Sequence, residues 1–352
     1  MTIREVAALA GVSVATVSRV LNGKEVVREE TLRQVLEAAE TLRYVPNVAA
    51  RSLSSRRSQT VGILLPDVHG EFFSEVIRGI DLVARRAGYH ILVSGSHSDS
   101  DEMLEVLEAM HGRVDGLIVM APDVALASLH RSLPAHLPLV LLNSSDEGRD
   151  AIAVDNYGGA RAMMRYLTEL GHSRIAFIKG PPHNADARER LRGFRTSLRS
   201  LGVKAASRLE LAGDFTEESG ATATREILKS RPRPSAIFAG NDSMAIGALA
   251  ALAEAGVAVP EEMSVAGFDD IPIARYIHPP LTTIRVDIAD LGRRAFSLLL
   301  TAIEHPAALA GRRDSITPTL IVRESCRSPR KQKKPSMRPD RELRGRRKGE
   351  ES

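Results

Sequence analysis

Between Ser13 and Asn22 the run SVATVSRVLN puts two kinds of chemistry on one short helix. Val17, Val20 and Leu21 recur at helical spacing and form an inward face. Val14, Ala15, Ser18, Arg19 and Asn22 are left over on the other side. Exposed Val and Ala gain nothing from water but fit thymine methyl groups, and an arginine donates two hydrogen bonds to a guanine edge. The hydroxyls of Ser13, Thr16 and Ser18 suit phosphate contacts, which fix register without carrying sequence information. Together these residue types can read base-pair edges in a DNA major groove.

Signals for bond-breaking chemistry are weaker. Asp269-Asp270 could suggest paired carboxylates, but neighbours in a loop rarely aim at one bond, and glycoside hydrolysis needs two carboxylates roughly 5–9.5 Å apart. No Walker A, GxGxxG, GxSxG or HExxH string occurs, and none of the 10 His falls into a ligand cluster. The single cysteine, Cys326, excludes an intramolecular disulfide and a CxxC zinc site and fits a reducing compartment. The expectation is therefore a protein that binds, with no catalysis, metal or cofactor.

Three short helices must position the reading face. Thr2 and Glu5 form a T-x-x-E capping box before Ile3, Val6, Ala7 and Ala10, and Gly11 breaks that helix. Ser13 caps the second helix, which runs through Leu21 to the Asn22-Gly23 stop. A third helix, about Glu29 to Arg43, is predicted to bury Leu32, Val35, Leu36, Ala39 and Leu42. Two short helices around Ala10-Gly11-Val12-Ser13 have the helix-turn-helix layout, whose second helix enters the major groove.

From Thr60 the pattern becomes Val/Ile/Leu runs alternating with amphipathic helices. The strands are read as Val61–Leu65, His90–Ser94, Gly116–Met120, Leu139–Leu142, Ile152–Val154, Ile175–Ile178, Ala236–Ala239 and Val265–Gly267. A late strand, Thr282–Val286, and the helix after it return the chain to the first subdomain. Such runs indicate parallel sheets covered on both faces. The fold class is thus an all-α helix-turn-helix head (1–46), a linker (47–59) and an α/β body (60–325) of two doubly wound subdomains. These are about 60–156 with 287–314, and about 157–286 with 315–325.

Charge follows the same division. The net +4 of the 352 residues separates into +3 for 1–59, −6 for 60–325 and +7 for 326–352. The last segment, beginning CRSPRKQKKPSMRPD, has too few large apolar side chains to offset its ordering entropy and is predicted disordered, with a capacity for nonspecific phosphate contact. No apolar run reaches the ~20 residues of a membrane span. The start, MTIRE, has no apolar signal core, so a cytoplasmic, nucleoid-associated location is expected.

The runs IREVAALAGVSVATVSRVLNG, YVPNVAARSL and TVGILLPD make the chain resemble, over about residues 1–325, the LacI/GalR family of bacterial transcription regulators. That resemblance implies that Asn47–Ser55 is a hinge helix ordering on operator DNA. Leu53 would then be levered into the minor groove at a dimer centre, where an apolar wedge costs a few kcal/mol of unstacking. It also brings Thr2, Tyr44, Asn47 and Ala50 into the DNA-contacting set. The body resembles the periplasmic sugar-binding fold, with a small ligand in the interlobe cleft. Arg190 in ARERLRGF, Asn241 in AGNDSMAIGA and Asp269 in VAGFDDIP match effector-contacting positions. Phe72, Phe73 and Phe215 match ring-stacking positions, and Asn143 and Asp155 follow two further strands.

The function so implied is that of a homodimeric repressor of a pseudo-palindromic operator, of gal type from its Val14-Ala15 pair, controlled by a small molecule, with a sugar favoured. A solute-binding receptor would share the body but needs a signal peptide and no helix-turn-helix. A sugar-processing enzyme lacks a nucleophile and base. A nucleobase effector and a phosphorylated carrier protein as corepressor stay open. No leucine heptad after Cys326 supports a tetramer seam.

Overall fold

The computed structural model describes residues 1–21, 27–44, 57–97, 99–120, 133–134, 136–143, 148–200, 207–305 and 311–329. In the head, α1 (Ile3–Leu9) starts at a complete capping box: Glu5 N–H donates to Thr2 Oγ1 at 3.4 Å and Thr2 N–H to Glu5 Oε2 at 2.6 Å. Gly11 turns the chain at φ 65°, a left-handed value suited to glycine. At the start of α2 (Val14–Leu21), Ser13 Oγ accepts the Thr16 N–H at 3.1 Å. With α3 (Glu29–Thr41) these helices enclose Val6, Ala7, Val17, Val20, Val35, Ala38 and Ala39.

Two expectations for α3 are corrected. The helix stops at Thr41, because Arg43 takes a left-handed φ of 46°. Leu32 and Leu36 are exposed rather than buried. A three-helix head needs one narrow stripe from α3, and Val35, Ala38 and Ala39 supply it. Leu32 and Leu36, one turn apart, lie outside that stripe.

The chain divides into two compact units, the first of which includes the head. The first comprises Met1–Gly158, Pro182–Glu189 and Val286–Pro318. Its strands are β1 (Thr60–Leu65), β2 (His90–Gly95), β3 (Gly116–Met120), β4 (Leu139–Leu142), β5 (Asp150–Val154) and β11 (Arg313–Ile316). They form one parallel sheet in the order β11-β5-β4-β3-β1-β2. Helices α4 (Glu71–Arg86) and α5 (Ser100–Met110) connect β1 to β2 and β2 to β3. Helix α10 (Ile288–Glu304) packs on α4. Leu64, Met103, Leu107, Leu117, Leu139 and Leu141 share one core of this unit.

The second unit comprises Gly159–Pro181, Arg190–Arg285 and Thr319–Ser352. Strands β6 (Ile175–Ile178), β7 (Glu210–Leu211), β8 (Ala236–Ala239) and β9 (Ser264–Ala266) form a parallel sheet in the order β7-β6-β8-β9. A separate antiparallel pair joins β10 (Thr283–Arg285) to β12 (Thr319–Ile321). Its helices are α6 (Asn156–Glu169), α7 (Ala185–Ser200), α8 (Glu217–Lys229) and α9 (Asp242–Glu254), of which α6 and α7 begin in the first unit. Gly220 and Gly247 let α8 and α9 touch backbone to backbone, since a Cβ on either would overlap Met244 or Glu217. That contact fixes the N-terminus of α9, where Asn241 caps the helix and Asp242 opens its first turn.

The unit boundaries differ from the expected ones. The first unit extends to Pro318, because β11 pairs with β5 through Ile316 and Val154 and the expected limit at 314 would cut that strand. The expected linker loses its last residues, since Ser58 and Gln59 donate backbone N–H groups to the Asp115 carboxylate at 2.6 and 2.9 Å. The packed chain also runs past 325. Cys326 is buried, and the Arg327 carbonyl accepts from Ser264 Oγ at 3.2 Å and lies 3.0 Å from His172 Nε2. Residues 330–352 of the expected tail lie outside the described residues.

Candidate functional sites

The outward face of α2 presents Val14, Ala15 and Arg19 to solvent, with Val14 42% exposed. Ser18 and Thr16 are half-buried at its flank. The Ser13 hydroxyl, besides capping α2, lies 2.9 Å from the Thr16 hydroxyl, so both sit at the helix N-terminus, where phosphate is favoured. Thr2 holds the corresponding position on α1 through its capping box. Tyr44 follows α3, half-buried against the head core, its N–H bonded to the Ala39 carbonyl at 2.8 Å. Asn22, Asn47, Ala50 and Leu53, with the expected hinge helix, lie outside the described residues.

In the second unit, four of the residues matched by the motifs form one cluster. Arg190 on α7 is buried, its Nη2 2.9 Å from Asp269 Oδ1 and its Nη1 donating to the Gly240 carbonyl at 2.6 Å. The guanidinium lies over the Phe268 ring at 3.9 Å from its centroid, with the Phe215 ring at 5.9 Å. Asn241 caps α9: its Oδ1 accepts the Met244 N–H and its Nδ2 donates to the Phe215 carbonyl, each at 2.9 Å. Phe215, half-buried, adopts φ 75° and Asp269 φ 105°. Burial pushes the Asp269 carboxyl upward, against the opposing pull of Arg190.

In the first unit, Asn143 is buried just after β4 at φ 53°. Its Nδ2 donates to Asp186 Oδ2 at 2.8 Å, and Asn156 Nδ2 donates to Asp186 Oδ1 at the same distance. Asp186 accepts both amides, so Asn143 must present its oxygen on the other side. That Oδ1 is buried without a hydrogen bond among the described residues. Asp155 is exposed and caps α6, accepting the Gly158 N–H at 2.8 Å. Phe72 and Phe73, half-buried in the first turn of α4, pack edge to face with centroids 5.5 Å apart.

The motifs did not mark Phe268, Asp186 or Asp242. Asp242, in the first turn of α9, is fully buried. Burial and then the Asp269 charge push its pKa well above the ordinary carboxylate range. Its adjacency to Asn241 was the only available signal. Among the described residues no group of three or more His, Cys, Asp and Glu could hold a metal ion, and no helix is long and apolar enough to cross a membrane.

A helix-turn-helix head carried on two parallel-sheet units with buried polar clusters defines a class: a DNA-reading module joined to a ligand-binding body. Residues 2–47 match the family described as "Bacterial regulatory proteins, lacI family", and residues 164–326 the "Periplasmic binding protein-like domain". The ribose operon repressor of Escherichia coli (strain K12) is 36% identical over 329 residues, 92% of this chain and 99% of that protein. The HTH-type transcriptional regulator GalR of the same strain is 36% identical over 334 residues, 93% and 96% of the two chains. A solved structure of the Lac repressor dimer bound to operator and the anti-inducer ONPF aligns with a TM-score of 0.84 at 30% identity, covering 93% of this chain and 99% of that one. The chain belongs to the LacI family of bacterial regulatory proteins.

Proposed function

We propose that this chain is a homodimeric repressor that binds a pseudo-palindromic operator and whose operator affinity is set by a small polyhydroxyl effector, a sugar. The observation that carries the effector assignment is the Arg190–Asp269 pair. Its charges cancel, aromatic rings flank it, and the Asn241 amide stands beside it. A neutral ligand with several hydroxyls meets such a site without leaving a charge unpaired, whereas a phosphorylated or carboxylated one would have to displace Asp269. Arg190, Phe215, Asn241 and Asp269 are assigned as primary effector contacts, and Phe72, Phe73, Asn143 and Asp155 as secondary ones.

On DNA, Val14, Ala15, Arg19 and Asn22 read base edges while Thr2, Ser13, Thr16, Ser18 and Tyr44 hold phosphate. Asn47, Ala50 and Leu53 engage the operator centre. Such a protein works in the cytoplasm on the nucleoid, and it binds its sugar without transforming it. Effector binding shifts the population between two states of unequal operator affinity, a coupling typically worth about 1–3 kcal/mol.

A thermal-shift screen of monosaccharides, disaccharides and purines tests the effector class, because a ligand that binds only the folded chain stabilises it by RT ln(1 + [L]/Kd). A sugar should raise the melting temperature. A purine that does so while every sugar fails would overturn the assignment. Selection of binding sites from random duplexes should return a two-fold palindrome, and an asymmetric site would refute the dimeric operator reading.

A further inference from the structure

Asp242 lies one residue beyond Asn241, and 0% of its surface is exposed. Its Oδ2 accepts the Ile271 N–H at 2.9 Å, and its Oδ1 accepts the Thr283 hydroxyl at 2.5 Å. Gly267 presses so closely on Oδ1 that a Cβ there would overlap it. These three neighbours surround the turn that carries Asp269 and Asp270, at φ 105° and 58°. Left-handed conformations of non-glycine residues are costly and persist only where their surroundings over-determine them.

The other fastenings of the turn are also visible. The Asp269 N–H donates to the Ile284 carbonyl at 2.7 Å. The Asp270 carboxylate holds Arg285 Nε and Arg323 Nη2, each at 2.6 Å. Asp270 thus anchors the turn through two guanidinium groups and Asp269 points at a third, Arg190. Asp242 engages neutral donors, a backbone amide and a hydroxyl.

We propose that Asp242 is a positioning residue of the effector site: by gripping the Ile271 amide and the Thr283 hydroxyl it holds the 269–271 turn in the strained form that aims Asp269 at Arg190. The proposal rests on the assignment of Arg190 and Asp269 as effector contacts only for its functional consequence; the geometry it asserts exists without ligand. Burial and the nearby Asp269 and Asp270 charges push the Asp242 carboxyl well above the ordinary carboxylate range, against the opposing pull of the Thr283 and Ile271 donors, so the grip does not depend on a full negative charge. An asparagine keeps both neighbours: its Oδ1 accepts from Ile271, and its Nδ2 faces the Thr283 hydroxyl, which turns from donor to acceptor. A role that required the anion would not survive that exchange.

The test uses the full chain without ligand and follows the Arg190 guanidinium protons by nitrogen-15 NMR, assigned by their loss in Arg190→Lys. Hydrogen exchange at these protons should be slow in the wild type and remain slow in Asp242→Asn. It should accelerate roughly tenfold or more in Asp242→Ala and, more mildly, in Thr283→Val, as restraint on the turn is lost. Should Asp242→Ala fail to fold, Thr283→Val carries the test. Unchanged Arg190 exchange in folded Ala or Val variants, or an Asn variant that behaves like Ala, would overturn the proposal. Titration with D-ribose and D-galactose separates the two readings. A wild type that binds neither these nor any other sugar of the thermal-shift screen, with the exchange pattern as expected, removes the effector assignment and leaves the positioning role. A wild type and an Ala variant that bind one of them equally well remove the positioning role and leave the assignment.

Discussion

Arg190 Nη2 lies 2.9 Å from Asp269 Oδ1 in a pair whose side chains are only 6% and 7% exposed. Two charges are held out of water here by each other, by the Gly240 carbonyl and by the face of Phe268. A pair this deep is weak evidence for stability, because desolvation offsets much of its attraction, but it is intolerant of losing one member. Asp269 also needs an uncommon backbone conformation to reach Arg190, which suits a residue placed for binding more than for folding.

Removing one partner should therefore cost more than removing both. Asp269→Asn or Arg190→Met alone is expected to lower the unfolding free energy by about 3–5 kcal/mol, and the double variant by clearly less. Urea unfolding of the four members of that cycle measures this. Additive losses would mean that the two side chains do not act as a pair.

On the head, Arg19→Ala should weaken binding to the selected operator by about 1–3 kcal/mol and relax preference at a single base pair. Val14→Thr, which replaces an exposed methyl by a hydroxyl, should shift preference away from a thymine. Fluorescence anisotropy with operator variants reads both effects. A uniform loss across all sequences would reassign Arg19 to a phosphate.

The buried acids give stability a definite pH dependence. The folded-state pKa of Asp242 stands well above that of the unfolded chain, so the native state holds the proton more tightly. Its contribution is fully present below the unfolded value of about 3.9 and is lost as pH rises through the raised folded value. Asp242→Asn should flatten that decline and make the variant relatively more stable toward alkaline pH. Urea midpoints at several pH values would show it, and a variant with the wild-type slope would contradict it.

Cys326 is enclosed where the chain leaves β12, its sulfur 3.2 Å from the Val265 carbonyl, and burial pushes its thiol up to about 12. A thiol that stays protonated is a poor nucleophile. Iodoacetamide should leave native protein unmodified at pH 8 and label it once denaturant releases the C-terminal segment. Rapid labelling of the native chain would show that residues 326–329 are not held as described.

The sequence was most legible where hydrophobic period and structure coincide. Val17 and Val20 face inward on α2 as their spacing predicts, and runs such as Gly116–Met120 and Ile175–Ile178 are strands to the residue. Among the missed strands, β11 carries no such signal. β11 reads Arg-Asp-Ser-Ile with three exposed side chains and joins the sheet by backbone pairing at its edge. Leu32 and Leu36 misled because an apolar side chain at helical spacing need not find a neighbour. Arg190, Asn241 and Asp269 stand in motifs legible in the sequence, and the fold brings them into one cluster. Asp242 and Asp186 act on partners dozens of residues away, a relation visible only in three dimensions.

The central claim is tested most directly by operator affinity with and without effector. The full chain is titrated onto its selected palindrome by anisotropy, alone and with the saturating sugar found in the thermal-shift screen. We predict a change in operator Kd of roughly 5–150-fold, with Asp269→Asn abolishing the response while operator binding without sugar persists. An operator Kd indifferent to every sugar that binds the body, or no sequence-specific DNA binding at all, would contradict the account.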